Sequence, residues 1–184
     1  MTRLKALSPE QATGKTKELF TAIKGNLGMV PNMMKTMANS PAFLEGYLNL
    51  SAALGAGTLG AKTGELIALT VAEKNSCDYC LSAHSYIGAN LLKIDAQTLE
   101  AARNGNAINA KTDAILKFAA ILVSKRGLVN DSDVDTLRNA GVTEGEVGEI
   151  IGHVALNILA NYLNNTARTE IDFPVISSNS KAAA

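Results

Sequence analysis

The sequence contains no tryptophan, two cysteines, four prolines and no excess of charge of either sign. Each shortage closes off a class of protein. Two cysteines three residues apart cannot cross-link distant parts of a chain, so a disulfide-framed secreted domain is excluded; a local redox or metal pair remains. Lys plus Arg and Asp plus Glu balance at 17 each. Without a basic field to attract phosphates, nucleic-acid binding is not expected. Near-neutral charge also offers little electrostatic resistance to self-association. No run approaches the roughly 18 apolar residues of a membrane-crossing helix, so no membrane partner is expected. Arg3 and Lys5 have no apolar stretch behind them, which argues against a cleaved secretion signal and makes the cytoplasm the simplest address. With aromatics at 4%, a core must be built from Leu, Ile, Val, Ala and Met.

What is present reads as one all-α domain over residues 1–176, followed by a mobile tail over 177–184. At 184 residues such a domain buries enough surface to need no staples. Ser8-Pro9-Glu10-Gln11 carries the signals of a helix start, with Ser8 as cap and Gln11 closing a capping box. Ser40-Pro41 opens another helix, in which Phe43, Leu44, Tyr47 and Leu48 recur at three- and four-residue steps. Within Lys62 to Lys74, Leu66 to Ala72 is almost wholly apolar with one Thr, the mark of a buried helix. A new helix is expected to begin at Ser76 or Cys77 and to run to about Leu91. Shorter helices follow from Asp95 and Asp131, flanking one over Ile108 to Lys125. Thr143 and Glu146 form a capping box for a last long helix to about Arg168. No alternating run marks a strand; only Phe173 to Ile176 is ambiguous.

The chemistry concentrates between Glu65 and His84. With Cys77 in the first turn of a helix, Cys80 lies one turn on, with Cα atoms about 5 Å apart, within disulfide range. His84 is four residues past Cys80, so both thiols and the imidazole share one stripe. A helix N-terminus and a nearby cationic imidazole both favour the thiolate, which is the nucleophile. Attack on a peroxide would give a sulfenic acid, and a second cysteine one turn away could condense with it. Asp78 opposes this slightly, because a carboxylate disfavours a further negative charge. Glu65 heads the buried helix and reads either as a desolvated proton acceptor or as an exposed first-turn acid favouring a helix N-terminus. For the cysteine pair, the alternatives to redox chemistry are a structural metal site and two inert buried thiols; a zinc site would have to recruit Cys77, Cys80, His84 and either Glu65 or His153.

Gly64-Glu65-Leu66-Ile67-Ala68-Leu69 followed by Asn75-Ser76-Cys77-Asp78-Tyr79-Cys80-Leu81-Ser82-Ala83-His84 resembles the core of the AhpD-like alkylhydroperoxidases, within the wider carboxymuconolactone decarboxylase superfamily. The shared pattern is a Glu, a C-x-x-C twelve residues later, and a His four after the second Cys. The last helix and Thr169-Glu170-Ile171-Asp172-Phe173-Pro174 resemble the longer, peroxidase-related members, so the likeness spans most of the chain. It implies an AhpD-like helical bundle that assembles as a dimer, trimer or hexamer. It also implies reduction of a hydroperoxide by Cys80 as the peroxidatic residue and Cys77 as the resolving one, with Glu65 and His84 as proton relay. No cofactor or metal is implied; the partners would be a hydroperoxide and a thiol or protein reductant. An analogy with thioredoxin would exchange the two cysteine roles. One departure stands out: the best-described members carry a His just before the second Cys, where this chain has Tyr79, a poor base at neutral pH.

Around this core the bland readings weigh more. Tyr79 is expected to pack, with its polar tip satisfied. His153, Asn157 and Asn161 recur at four-residue steps. They could line the site or an oligomer interface, but a buried, mutually bonded structural stripe is the simpler expectation. Met29, Met33, Met34 and Met37 are either core filler or an adaptable surface for an apolar ligand.

Overall fold

The computed structural model describes residues 1–179 and is helical from end to end, with no strand among those residues. After a short 3-10 turn at Pro9–Gln11 come α1 (Gly14–Leu27), α2 (Asn32–Met37), α3 (Pro41–Gly55), α4 (Gly60–Lys74), α5 (Asp78–Asn90), α6 (Ala96–Arg103), α7 (Ala110–Lys125), α8 (Asp131–Asn139) and α9 (Glu144–Ala167). No helix is long and apolar enough to cross a membrane among the described residues.

Helix α4 is the hub, packing against α3, α5, α6, α7 and α9. Its residues Leu66 to Ala72 are all buried, as an all-round apolar stretch requires. Fully burying each Leu, Ile or Val there contributes about 1.5–3 kcal/mol, so the segment carrying Glu65 is among the most firmly held in the molecule. The 24-residue α9 runs alongside it and starts with the Thr143–Glu146 capping box read from the sequence. Asp95 likewise caps α6 through the Thr98 N–H, and Ser40 caps α3 through the Phe43 N–H.

Two boundaries differ from the sequence reading. The Ser8 start yields only a 3-10 turn, because Ala12 and Thr13 are extended and Ala12 turns into the core, so α1 begins afresh at Gly14. At the chain's other end, residues 177–179 are pinned. The Ser178 N–H donates to Asp78 Oδ1 at 3.0 Å, the Asn179 N–H to Glu73 Oε1 at 2.7 Å, and Arg103 holds the Ser177 carbonyl at 3.0 Å. Polar groups on α4, α5 and α6 thus tie down a segment whose own sequence has no periodicity. The remainder of the expected tail, 180–184, lies outside the described residues.

Candidate active site

The cysteines are set by a single turn between α4 and α5. Ser76 takes a left-handed conformation (φ 50°). Its N–H reaches the Glu73 carbonyl, and the Cys77 N–H reaches the Ala72 carbonyl at 3.0 Å. This is the paired closure of a helix C-terminus known as a Schellman motif. Cys77 therefore ends α4 and also serves as N-cap of α5, one position earlier than the sequence placed it, because its sulfur accepts the Cys80 N–H at 3.4 Å. The two sulfurs lie 2.7 Å apart, and both residues are buried. Closing the pair into a disulfide requires no rearrangement of the backbone.

Their electrostatics differ. The Cys77 thiol is pushed well up, first by its hydrogen bond to Cys80 and then by burial. Burial acts on Cys80 in the same direction, but hydrogen bonds from Cys77 and Asn164, with the Asn161 amide nearby, outweigh it and bring the thiol below its usual range. The Asn164 amide donates to the Cys80 sulfur at 3.3 Å. The helix N-terminus alone would favour Cys77, as in the thioredoxin analogy; the side chains gathered around Cys80 reverse that order.

Glu65 and His84 meet across α4 and α5, with Glu65 Oε1 and His84 Nδ1 at 2.8 Å. Glu65 is largely covered, with a side-chain exposure of 12%, which favours the buried reading over an exposed first-turn acid. Burial opposes charge on His84, but the Glu65 carboxylate more than compensates, so its pKa lies above the usual 6.5. Because Nδ1 is engaged, Nε2 is the nitrogen left for a substrate.

These groups open on a cavity of about 280 Å³. Cys80, His84, Tyr47 and Tyr79 line it together with Met29, Met33, Met34 and Phe173; Cys77 does not. Three of the four methionines noted in the sequence thus face the cavity, while Met37 is fully buried core. The Tyr79 hydroxyl donates to Asp172 Oδ1 at 2.8 Å and accepts the Met33 N–H at 3.1 Å. Asp172 Oδ2 in turn accepts the Asn32 N–H at 2.7 Å. Tyr79 is therefore a tie between α5, the start of α2 and the segment after α9, with no spare hydroxyl function for a relay.

The polar stripe of α9 divides. Asn157 bonds back to the His153 carbonyl in its own helix at 2.9 Å. Asn161 accepts from Asn75 at 2.9 Å and so holds the turn that sets Cys77. His153 is buried against Gly64, where an added Cβ would come within 2.7 Å of the imidazole, and burial pulls its pKa down. These three do not form the mutually bonded row expected of them. The member that touches sulfur is Asn164, which the sequence reading passed over although it continues the same face three residues beyond Asn161. Tyr47 was also missed. It is half-buried beside Cys80 and Glu65, and its hydroxyl pKa is pushed up, chiefly by burial and then by those two charges. Its place in an ordinary apolar repeat on α3 gives no local signal. Among the described residues, no three His, Cys, Asp or Glu side chains converge to hold a metal ion.

Comparison with known proteins agrees with this architecture. Residues 41–124 match the carboxymuconolactone decarboxylase family. No curated protein sequence matches the chain. A peroxidase-related protein from Silicibacter sp. TM1040 is similar at 25% identity and a TM-score of 0.78, over 92% of this chain and 94% of that one. An alkylhydroperoxidase AhpD core protein from Ralstonia eutropha JMP134 shares the fold at 23% identity and a TM-score of 0.83, over 93% and 92% of the two chains. The debrominase Bmp8 shares it at 22% identity and a TM-score of 0.79, over 94% and 93%. The matched family and the peroxidase-related neighbour point to an enzyme. In its all-helical fold, its matched segment and its peroxidase-related neighbours, the chain is similar to the AhpD-like proteins of the carboxymuconolactone decarboxylase superfamily.

Proposed function

We propose that the chain is a thiol-dependent hydroperoxide reductase. The observation that carries this reading is the asymmetry of the pair: the cysteine held toward thiolate, Cys80, lines the cavity, and the protonated one, Cys77, sits 2.7 Å behind it. The Cys80 thiolate attacks the terminal peroxide oxygen and the O–O bond breaks. The departing alkoxide takes a proton from the Glu65–His84 pair through Nε2, and Cys80 is left as a sulfenic acid. The Cys77 sulfur then attacks the Cys80 sulfur. The hydroxide leaves as water with the Cys77 proton, and a Cys77–Cys80 disulfide remains. Two electrons from a thiol reductant reopen it. Tyr79, in place of the family histidine, lends structure to this cycle and no proton.

One equivalent of an organic hydroperoxide added to reduced protein should consume both thiols. Cys80→Ser should abolish turnover, and Cys77→Ser should stop at a sulfenic acid that a nucleophilic trap captures. Thiols left intact by excess hydroperoxide would refute the assignment. Stoichiometric oxidation without turnover under any reductant would instead make the pair a redox sensor. A second reading is reductive dehalogenation of a small ring. The apolar, aromatic-lined cavity suits one, and the debrominase of the same fold has been captured, as a cysteine-to-alanine variant, with a brominated pyrrole. Halide release without peroxide consumption would select that reading. We further propose self-association through α9, where Ile151 and Tyr162 are exposed apolar side chains.

A further inference from the structure

The turn that carries the cysteine pair is flanked by two pockets, and the proposed peroxide chemistry uses only the apolar one. On the other side of the same turn lies a second pocket, of about 460 Å³, walled by Ser76, Asp78, Tyr79, Asn164, Arg168 and Thr169. Its character is the opposite of the first. Two buried polar atoms in its wall, Asn164 Oδ1 and Thr169 Oγ1, have no hydrogen-bond partner. Asn164 is only 3% exposed, so its unpaired carbonyl carries a real desolvation cost unless something polar occupies the pocket. Arg168 is exposed, makes no ion pair among the described residues, and is fixed at the C-cap of α9 in a left-handed conformation (φ 50°). A guanidinium with no partner at the rim of a polar pocket is suited to a carboxylate.

The pocket also borders the turn that carries the sulfur a reductant should attack, with Cys77 itself buried just behind its wall. Ser76 and Asp78, the neighbours of Cys77 on either side, both line it, and Asn164 spans from its wall to the Cys80 sulfur. In thiol–disulfide exchange the better leaving sulfur is the one whose thiolate is better stabilised. Here that is Cys80, which keeps the Asn164 N–H as it departs. Attack at Cys77 from this side is therefore the productive direction.

We infer that the polar pocket is the entry site for the reducing substrate, a low-molecular-weight thiol bearing a carboxylate that Arg168 receives. The inference rests on the Cys77–Cys80 disulfide cycle proposed above. The external thiolate attacks the Cys77 sulfur, the Cys77–Cys80 bond breaks, and Cys80 leaves as thiolate. A second equivalent of thiol attacks the external sulfur of the mixed disulfide, releases Cys77, and leaves as the oxidised thiol dimer. Two thiols are oxidised and one protein disulfide is reduced. Peroxide and reductant thus enter through different pockets and do not compete for one cavity.

The test uses full-length protein oxidised with diamide, so that the disulfide is formed without any peroxide. Its reduction is followed with 3-mercaptopropionate and with 2-mercaptoethanol, rates being compared per thiolate, in the wild type and in Arg168→Gln. The expected result is that Arg168→Gln slows 3-mercaptopropionate by roughly fivefold, the worth of one exposed charge pair, and leaves 2-mercaptoethanol unchanged. The rate of the first hydroperoxide turnover should also be unchanged. Equal effects on the two thiols, or no effect on either, would overturn the inference, as would a pair that diamide cannot oxidise. A pair that diamide oxidises but hydroperoxide does not would refute the peroxidase assignment and leave the thiol site standing.

Discussion

Removal of one amide, Asn164→Ala, tests the electrostatic account of the site most directly. Asn164 donates to the Cys80 sulfur at 3.3 Å, and this bond, with that from Cys77, holds the thiol below its usual range against burial. A hydrogen bond to a charged group is worth about 1.5–3 kcal/mol. At about 1.4 kcal/mol per factor of ten, its loss should cut the thiolate population of Cys80 at neutral pH by roughly ten- to a hundredfold. The fold should tolerate the change, because Asn164 Oδ1 has no partner to strand and the rest of α9 keeps its packing. The assay is a thiolate absorbance titration, run beside the rate of the first hydroperoxide turnover, with circular dichroism as a check on the fold. The titration should move to higher pH, and the rate at neutral pH should fall by the same factor, converging with the wild type in alkali. A folded variant with an unmoved titration would refute the argument that side chains from α9 make Cys80 the reactive thiol. A moved titration with an unchanged rate would show that chemistry at Cys80 does not limit turnover.

The two histidines of the chain should pull stability in opposite directions with pH. His84 has its pKa raised above 6.5 by Glu65, so its contribution is fully present below 6.5 and is lost as pH rises through the raised folded value. Burial lowers His153 below 6.5, so its contribution is present above 6.5 and is lost as pH falls through the lowered value. Glu65→Gln should remove the first effect, leaving a urea midpoint that only rises from mildly acidic to neutral pH; a midpoint that still falls over that range would contradict the pairing. Tyr79→Phe strands the buried Met33 N–H and one Asp172 oxygen, which should cost about 1–3 kcal/mol in chemical denaturation. The Cys80 titration should be nearly unmoved by it, and a large shift would mean that Tyr79 acts on the sulfur itself.

Much of the framework was legible in the sequence because its signals are local. The almost wholly apolar Leu66 to Ala72, the Thr143–Glu146 box and the Asp95 cap each depend on residues within a turn or two of one another. The spacing of Glu65, Cys77, Cys80 and His84 belongs to the same class: one helix turn sets the sulfurs side by side, and the hub helix carries the acid to the imidazole. What only tertiary structure decided is how the two thiols differ in their surroundings. A helix N-terminus favours Cys77 and the spacing to His84 favours Cys80, and Asn164, 84 residues downstream, reaches back to Cys80 and tips the balance toward its thiolate. Tyr47 enters the site from α3, Asp172 closes it from beyond α9, and Asp78 and Glu73 pin residues 178 and 179. Periodicity shows which face of a helix is covered but not by what. The field at a buried sulfur is the sum of groups brought together by packing, and that sum exists only once the chain has folded.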